Sequence, residues 1–252
     1  MSKNRLRTST CLIGLSLLTA LDYGCTSRPD SPQAAAIRKL EGDLEVDPAD
    51  GSIVKVWLMK PTVCDSDLDS VTCLPRLQEL YLSHSEVTDA GLNRLATLPL
   101  LTRLDLFGTS IGDAGLANLA GLGALKRLGI GQTGITDNGL PTLKSFPFLE
   151  ELYLSDTNVS DAGMVYIAPL VRLRQLDLIG TKITGAGIMQ LQNLTKLEKL
   201  GLRGSLVDDR AVRTIASFTC LNHLDLTKSR VSAQGAAMLM KALPNAKVYW
   251  DR

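Results

Sequence analysis

Leucine residues recur along the chain at a fixed spacing. The frame L-x-x-L-x-L begins at Leu77 and returns every 24 residues without an insertion. Its first positions are Leu77, Leu101, Leu125, Leu149, Leu173, Leu197 and Leu221. A frame beginning at Ile53 precedes these, and one beginning at Asn245 follows them. The sequence therefore predicts eight repeats in residues 53–244 and a ninth strand, a C-terminal cap, in residues 245–252.

The second half of each frame has the period of a β-strand with one buried face. In the first leucine frame, Leu80 and Leu82 alternate with Glu79, Tyr81 and Ser83. We expect the two leucines to point into the core and the other three side chains to point outward.

A helical pattern follows each strand. After a turn, Val87 returns to the core, and Thr88 or Asp89 can cap a helix by accepting a backbone N–H. The helix is expected over about residues 90–98, and Pro99 ends it. Its inward stripe consists of Leu92, Leu95 and Leu98. Because one strand-helix unit cannot bury its apolar edge alone, the units must stack into a solenoid.

Each helix start carries a version of the hexapeptide VTDAGL, first seen at residues 87–92. Its glycine falls in the first helical turn, where glycine is unfavourable, so we expect close backbone approach to the neighbouring coil. Asp67 and Ala211 stand where the first and seventh coils would have this glycine, which predicts looser packing there. The aspartates of the series are interpreted as N-caps. A phosphate-binding loop is disfavoured because the glycines occur once per coil rather than in a G-x-G-x-x-G cluster.

The repeat resembles the leucine-rich repeat family over about four-fifths of the chain. The VTDAGL style is similar to its ribonuclease-inhibitor-like and cysteine-containing subclasses and to exported bacterial proteins built from such repeats. The resemblance implies an α/β fold: a right-handed, curved solenoid with parallel strands on the concave face and short helices on the convex face. Where the family usually has Asn or Cys, this chain has Ser or Thr, whose hydroxyls can bond the turn backbone in a ladder. These residues are Ser85, Thr109, Thr133, Thr157, Thr181, Ser205 and Ser229.

The N-terminal residues have the pattern of an export signal. Three basic residues in MSKNRLRTST precede the apolar run CLIGLSLLTAL, which is long enough for a signal peptide and too short to span a membrane. Cys25 follows, at a place that resembles the bacterial lipoprotein site, although Asp22 and Tyr23 depart from its usual residues. Residues 1–25 therefore predict a periplasmic or membrane-anchored protein, with Cys25 either lipidated or incidental to an ordinary signal. Residues 26–52 are expected to form a tether and an N-terminal cap of one helix and one strand.

Composition and residue placement argue against catalysis. The 252 residues carry a net charge of +1, which gives no field to steer nucleic acid or an acidic membrane. His84 and His223 lie several coils apart, and Asp105 and Asp177 lie three coils apart, roughly 14 Å by strand spacing, too far for a carboxylate pair. The sequence has no C-x-x-C pair, and Cys64 and Cys73 are expected to bracket a short helix rather than form a disulfide. We therefore expect neither an enzyme nor a cofactor or metal site.

The outward strand positions supply the candidate binding residues. Concave faces of solenoids are extended recognition surfaces, and Trp, Tyr and Arg are frequent among the residues that dominate interface energy. The candidate partner-binding residues are Trp57, Met59, Tyr81, Arg103, Asp105, Phe107, Tyr153, Asp177 and Ile179. We expect Trp57, Met59, Tyr81 and Phe107 to be neighbours, with Tyr153 and Ile179 as a second, weaker spot. The alternative is that Trp57 and Met59 pack under the N-terminal cap, which would leave only Tyr81 accessible.

The resulting hypotheses differ in the class of ligand. The first is an exported or membrane-tethered scaffold that binds a protein through the concave face. The second is a glycan or cell-wall binding module in which Trp57, Tyr81 and Tyr153 act as stacking platforms. The third follows receptor-like family members and is an intracellular substrate adaptor in the style of ubiquitin-ligase receptors. The signal-like N-terminus argues against the third hypothesis, and the mixed charge along the concave face argues against nucleic acid.

Overall fold

Ten strands form a single sheet in chain order. The computed structural model describes residues 28–251. The strands are β1 (Asp43–Val46), β2 (Ile53–Trp57), β3 (Glu79–Tyr81), β4 (Arg103–Asp105), β5 (Arg127–Gly129), β6 (Glu151–Tyr153), β7 (Gln175–Asp177), β8 (Lys199–Gly201), β9 (His223–Asp225) and β10 (Lys247–Tyr249). From β2 to β10 every neighbouring pair is parallel, and each residue pairs with the residue 24 positions later, as Leu80 does with Leu104. The predicted α/β solenoid with a parallel sheet is confirmed.

A helix and an antiparallel strand cover the N-terminal end of the sheet. Helix α1 (Pro32–Lys39) begins after Ser31, whose hydroxyl accepts the Ala34 N–H. Strand β1 pairs antiparallel with β2. Ala34 and Ile37 of α1 are fully buried against the core. The first repeat strand, β2, is therefore not the edge of the sheet, because β1 takes that position beside α1.

The helical segments of the coils are short, and several are 3-10 helices. The α-helices after α1 are α2 (Asp69–Thr72), α3 (Asp89–Leu95), α4 (Asp113–Asn118), α5 (Met164–Ile167), α6 (Gly185–Met189), α7 (Val212–Ala216) and α8 (Ala233–Ala242). The 3-10 helices span Asp65–Leu68, Leu140–Ser145, Asp161–Gly163 and Asp209–Ala211. Helix α3 ends at Leu95, three residues before the expected end. Among residues 28–251, no helix is long and apolar enough to span a membrane.

The core is one continuous cluster between the sheet and the helices. Leucines at the inward strand positions, such as Leu128 and Leu152, are fully buried, and Phe146 and Phe218 fill the space behind two of the helical segments. Six of the seven hydroxyl groups that replace the usual asparagine are also buried, and Ser229 is half-buried. Each of the six donates to the carbonyl three residues earlier in its own turn, as Thr133 does to Ile130 at 2.6 Å. The hydroxyl bonds are therefore local to each coil and do not link one coil to the next.

A row of aspartates links the coils at the start of their helical segments. Thr88, not Asp89, is the N-cap of α3, so the interpretation of the aspartate series as N-caps was wrong. The carboxylate of Asp161 accepts the Thr184 N–H at 2.8 Å and the Thr184 hydroxyl at 2.6 Å, across the boundary between two coils. We call this row of carboxylates the aspartate seam. It consists of Asp65, Asp89, Asp113, Asp137, Asp161 and Asp209.

The recurrent glycine is explained by the aspartate seam. A Cβ added to Gly187 would overlap Asp161 Oδ1 and lie 3.0 Å from its Cγ. Gly91, Gly115, Gly139, Gly163 and Gly235 face the aspartate of the preceding coil in the same way. The expected close approach is therefore present, and the atoms that cause it are mainly those of the aspartate side chain.

One boundary departs from this pattern. Gly185 stands at the seam position of the sixth coil, and the glycine that would face it is Ala211. With no carboxylate in the way, Ala211 is fully buried, so the looser packing predicted there was wrong. Asp208 of the seventh coil instead lies against Gly185 and caps its own helix by accepting the Arg210 N–H. At this boundary the coil that lacks the seam aspartate therefore faces the coil that lacks the recurrent glycine.

The last coil is closed by an aromatic side chain. Trp250 follows β10, packs against the edge of the core, and donates its indole N–H to the Val231 carbonyl at 2.9 Å. The expected signal segment and Cys25 lie outside the described residues, as does Arg252.

Candidate interaction surface on the concave sheet

Three rows of outward side chains cross the concave face, one for each outward position of the strands. The first row begins at Lys55, the middle row at Trp57, and the third row at Met59, just after β2. Because the parallel register advances by one whole repeat per strand, residues 24 apart are lateral neighbours. All nine candidate binding residues lie in these rows. Eight of them are half-buried, and Met59 is 48% exposed.

At the N-terminal end of this face, the rings of Trp57 and Tyr81 stack on one another. Their centroids are 5.4 Å apart and their planes differ by 6°. Met59 is exposed rather than covered by the cap, so the alternative that placed Met59 under the cap was wrong. Since one face of each ring is occupied by the other, the pair presents less free aromatic surface than two separate platforms would.

The Tyr81 hydroxyl is held in a polar network. It donates to Glu79 Oε2 at 2.7 Å and accepts from Arg103 Nη1 at 2.8 Å. Arg103 also donates to Glu79 at 3.1 Å, and Lys55 lies 3.9 Å from the same carboxylate. Burial raises the pKa of Tyr81, against the hydrogen bond from Arg103, which lowers it, and the hydrogen bond to Glu79 adds to the rise. Tyr81 therefore stays protonated, and the network orders its side chain before any partner arrives.

A second Glu–Tyr pair recurs three coils further along, with its arginine on the preceding strand instead of the following one. Tyr153 donates to Glu151 Oε2 at 2.7 Å, and Arg127 forms an ion pair with Glu151 at 3.1 Å. The Arg127 guanidinium also lies over the Tyr153 ring, 4.8 Å from its centroid. Burial, then the hydrogen bond to Glu151, raise the pKa of Tyr153. One face of this ring is occupied by a cation, which disfavours its use as a stacking platform for a sugar.

Between these two tyrosines lies a cavity of about 430 Å³, which we call the Gly129 pocket. Gly129 sits between Asp105 and Tyr153 in the middle row, and its missing side chain leaves the floor open. The pocket is lined by Met59, Ser83, His84, Leu104, Asp105, Phe107, Arg127, Gly129, Tyr153, Ser155 and Asp177. His84 packs edge-on against Phe107 with centroids 5.3 Å apart. Met59 and Phe107 are therefore brought together, as expected, although Tyr153 joins them instead of Tyr81.

Ile179 lies in a different place from Tyr153. It lines a second cavity of about 280 Å³ with Lys199, Gly201, His223 and Asp225. Tyr153 lines the Gly129 pocket instead, so a joint spot of Tyr153 and Ile179 stays a prediction. Asp177 lines both cavities and connects them.

Asp177 has the most perturbed carboxylate of the concave face. Burial raises its pKa, and the negative charges of Asp156 and Asp225 raise it further, against the Ile179 N–H that donates to Asp177 Oδ1 at 2.9 Å. Among the described residues, no Lys, Arg or His nitrogen lies within 4.0 Å of the carboxylates of Asp105 or Asp177. The arginines of the same face are instead paired with glutamates.

The two histidines of the face lie near its opposite ends, one just after β3 and the other on β9. His84 packs on Phe107, and His223 packs on Tyr249 with centroids 4.9 Å apart, so the two histidines have separate environments. Within residues 28–251, no group of three or more His, Cys, Asp or Glu side chains could hold a metal ion. The described face offers aromatic rings, ordered ion pairs and half-buried carboxylates.

Comparison with known proteins agrees with this architecture. The family model described as "Leucine Rich repeat" matches residues 97–120 and 147–168, and the ten-stranded sheet repeats that unit along the chain. The chain contains leucine-rich repeats and has the fold of a leucine-rich repeat solenoid. No curated protein sequence matches this chain.

Two solved structures of internalins from Listeria monocytogenes have a similar fold. Internalin C2 superposes with a TM-score of 0.66 at 21% identity, covering 89% of this chain and 95% of the internalin chain. Internalin F superposes with a TM-score of 0.61 at 23% identity over 73% of this chain. This chain covers 50% of the internalin F chain. At these identities the likeness concerns the leucine-rich repeat fold.

Sequence reasoning missed several residues of the surface. Glu79 and Glu151 fix the tyrosine hydroxyls, Arg127 covers Tyr153, and His84 supports Phe107. A signal for the first three was present: the triplet ELY occurs twice at strand positions, each with Arg in the first row of a neighbouring strand. His84 has a positive φ of 60°, a turn conformation that a leucine pattern does not reveal.

Proposed function

We propose that this leucine-rich repeat protein is a non-catalytic scaffold that binds a partner protein through its concave sheet face. The observation that best supports this proposal is the Gly129 pocket together with the stacked rings of Trp57 and Tyr81 beside it. Interfaces concentrate their energy in aromatic and arginine side chains that are ordered before binding. The proposed contact residues are Trp57, Met59, Tyr81, Arg103, Asp105, Phe107, Tyr153, Asp177 and Ile179.

We further propose that the protein acts outside the cytoplasm of a bacterial cell, in the periplasm or on a membrane to which lipidated Cys25 tethers it. The support is the signal-like pattern of residues 1–25 and the bacterial source of the two internalins with a similar fold. Mass spectrometry of the mature protein tests this: a diacylglyceryl group on an N-terminal Cys25 is expected, and an unmodified N-terminus at another residue contradicts the tether.

Affinity capture tests the binding face. The wild-type chain, Tyr81→Ala, Phe107→Ala and a convex-face control, Val165→Ala, are used as baits against the native envelope fraction. Val165 is 55% exposed on the fifth helical segment, away from the sheet. We expect the two concave variants to lose a partner that wild type and Val165→Ala retain. Equal capture by all four baits would remove the concave face as the binding site.

The glycan alternative has less support from the geometry. Trp57 and Tyr81 cover each other, and Arg127 covers Tyr153, so each intended stacking platform has lost one face. A glycan array with the purified chain separates the two hypotheses: specific glycan binding that Tyr81→Ala abolishes would replace the protein-scaffold proposal.

A further inference from the structure

The Gly129 pocket combines apolar walls with carboxylates at its margin. Met59 and Phe107 supply hydrophobic surface, and Asp105 and Asp177 supply negative charge. The pocket exists because Gly129 interrupts the middle row, in which Trp57, Tyr81, Asp105, Tyr153 and Asp177 otherwise present side chains.

The arginines around the Gly129 pocket are paired with glutamates, whereas no cation of residues 28–251 pairs with the carboxylates of Asp105 and Asp177. Arg127 pairs with Glu151, and Arg103 pairs with Glu79, each at 3.1 Å. In the part of the chain that the structure describes, Asp105 and Asp177 have no such cation; each accepts a backbone N–H, from Phe107 at 3.0 Å and from Ile179 at 2.9 Å. The uncompensated charge that the pocket offers to a partner is therefore negative.

We propose that the Gly129 pocket accepts a lysine or arginine side chain of the partner protein above Gly129, with the methylene groups against Phe107 and the cationic head at Asp105, whose Oδ1 lies 2.8 Å from where a Cβ on Gly129 would be. The carboxylate of Asp177 adds negative charge at the far margin of the pocket. This inference rests on the proposed function, since it names the chemistry of the group that the concave face binds. Basic side chains bury their apolar stems while their charged ends stay near acceptors, and hydrogen bonds between two charged groups are stronger than those between neutral ones.

Other side chains fit this pocket less well. A carboxylate or phosphate would meet the like charge of Asp105. A purely apolar side chain would take water away from the Asp105 carboxylate without replacing the lost hydrogen bonds. A cation supplies the missing charge and can donate to that carboxylate.

The pocket can be tested with small probes on the full chain. The probes are N-acetyl-arginine amide and N-acetyl-lysine amide, with uncharged N-acetyl-citrulline amide as the matched control. They are titrated into ¹⁵N-labelled protein while the amide signals of Phe107, Gly129 and Ile179 are followed by NMR. Because Phe107 and Ile179 donate to the two carboxylates, their signals report directly on those groups. We expect saturable shifts with dissociation constants on the order of millimolar for the cationic probes, and binding at least about tenfold weaker for citrulline.

Substitutions identify the carboxylates involved. Asp105→Asn and Asp177→Asn keep an oxygen acceptor for the backbone N–H and remove the charge. Asp105→Asn should weaken the cationic probes about fivefold or more, and Asp177→Asn, at the far margin of the pocket, should weaken them less. Asp225→Asn is the matched control. It holds the same strand position and accepts the Thr227 N–H at 2.9 Å, but does not line the pocket. Equal binding of citrulline and arginine probes, or equal effects of all three variants, would overturn the inference.

The result can be separated from the test of the proposed function. Suppose that a captured partner is lost with Tyr81→Ala but retained with Asp105→Asn and Asp177→Asn: the scaffold then stands, and the cation pocket is wrong. Suppose instead that the cationic probes bind as expected while no partner depends on Tyr81 or Phe107: the pocket then stands, and the scaffold proposal fails.

Discussion

At the scale of single residues, each seam glycine is coupled to one aspartate. The Cβ of an alanine at position 187 would overlap Asp161 Oδ1, so we expect Gly187→Ala to lower the free energy of unfolding by about 1–3 kcal/mol through overpacking. In an Asp161→Ala background the overlap is gone, and the same substitution should cost much less. Urea denaturation of the two single variants and the double variant should give a coupling energy of about 1 kcal/mol or more.

Ala211 provides the control for this coupling. It occupies the glycine position at the boundary where Gly185 replaces the aspartate. Although Ala211→Gly restores the recurrent motif, it should lower stability by about 0.5–1 kcal/mol, because glycine is the poorer helical residue and no overlap is relieved. Additive effects of Gly187→Ala and Asp161→Ala would show that the glycine is required for another reason.

The Asp177 carboxylate is expected to oppose folding at neutral pH. Burial raises its pKa in the folded protein, so folding disfavours the ionised form. This destabilisation is present above the raised pKa and disappears as the pH falls through the unfolded value of about 3.9. Asp177→Asn removes the charge and keeps an acceptor for the Ile179 N–H. We therefore expect a higher Tm at pH 7, by roughly 2 °C, and a difference that shrinks as the pH falls to 4.

Asp137→Asn is the matched control for this measurement. The Asp137 carboxylate accepts both the Ser160 N–H, at 2.8 Å, and the Ser160 hydroxyl, at 2.5 Å, across the seam. Its charge strengthens these bonds, so the variant should lower the Tm at pH 7. A lower Tm for Asp177→Asn as well, or a gain independent of pH, would contradict the role assigned to burial.

At the scale of elements, the sixth and seventh coils meet without the aspartate link. Gly185→Asp alone should lower stability, because a Cβ there overlaps Asp208 and lies 2.9 Å from the Arg210 Cβ. Adding Asp208→Thr and Ala211→Gly recreates the set of residues seen at Asp161, Thr184 and Gly187. The triple variant should regain most of the loss by forming two hydrogen bonds between the coils. Thermal unfolding compares the two variants, and a triple variant no more stable than Gly185→Asp would contradict this view of the seam.

The strands were more predictable than the helices, for a physical reason. The position of β3 follows from Leu80 and Leu82, since a period of two with one buried face leaves few alternatives. The sequence constrains the ends of helices less. Helix α3 ends at Leu95, although Pro99 is the first residue after it that cannot continue a helix. The segment Leu140–Ser145 is a 3-10 helix with Pro141 in its first turn, where the missing N–H is tolerated.

The concave surface was predictable by position but not by contact. Alternation places Tyr81 and Tyr153 outward, as expected, because register fixes the row in which each residue lies. Which side chains then pair depends on rotamers of long residues. Arg127 covers the Tyr153 ring, whereas Arg103 bonds the Tyr81 hydroxyl, although both arginines have the same row position. The aspartate seam was missed for a similar reason: its bonds join residues 23 apart, beyond the reach of local helix rules.

At the scale of the whole molecule, stability should be distributed along one dimension. Each coil contacts only its neighbours, so a central coil loses two interfaces when it opens and a terminal coil loses one. Leu152 is fully buried in β6, in the middle of the sheet. Leu152→Ala should lower the free energy of unfolding by about 2–5 kcal/mol through the cavity it leaves. Because this coil has neighbours on both sides, the loss of stability should extend to coils on both sides of it.

Trp250→Ala should act only at the C-terminal end. The indole covers the last coil and bonds the Val231 carbonyl, so its loss exposes the edge of α8 and β10 while the other coils keep both neighbours. Amide hydrogen exchange distinguishes the two cases: Leu152→Ala should speed the slowest amides from β3 to β9, and Trp250→Ala should speed only those after about residue 223. If Trp250→Ala accelerates exchange in β3 as strongly as in β10, the coils unfold as one unit and not as coupled neighbours.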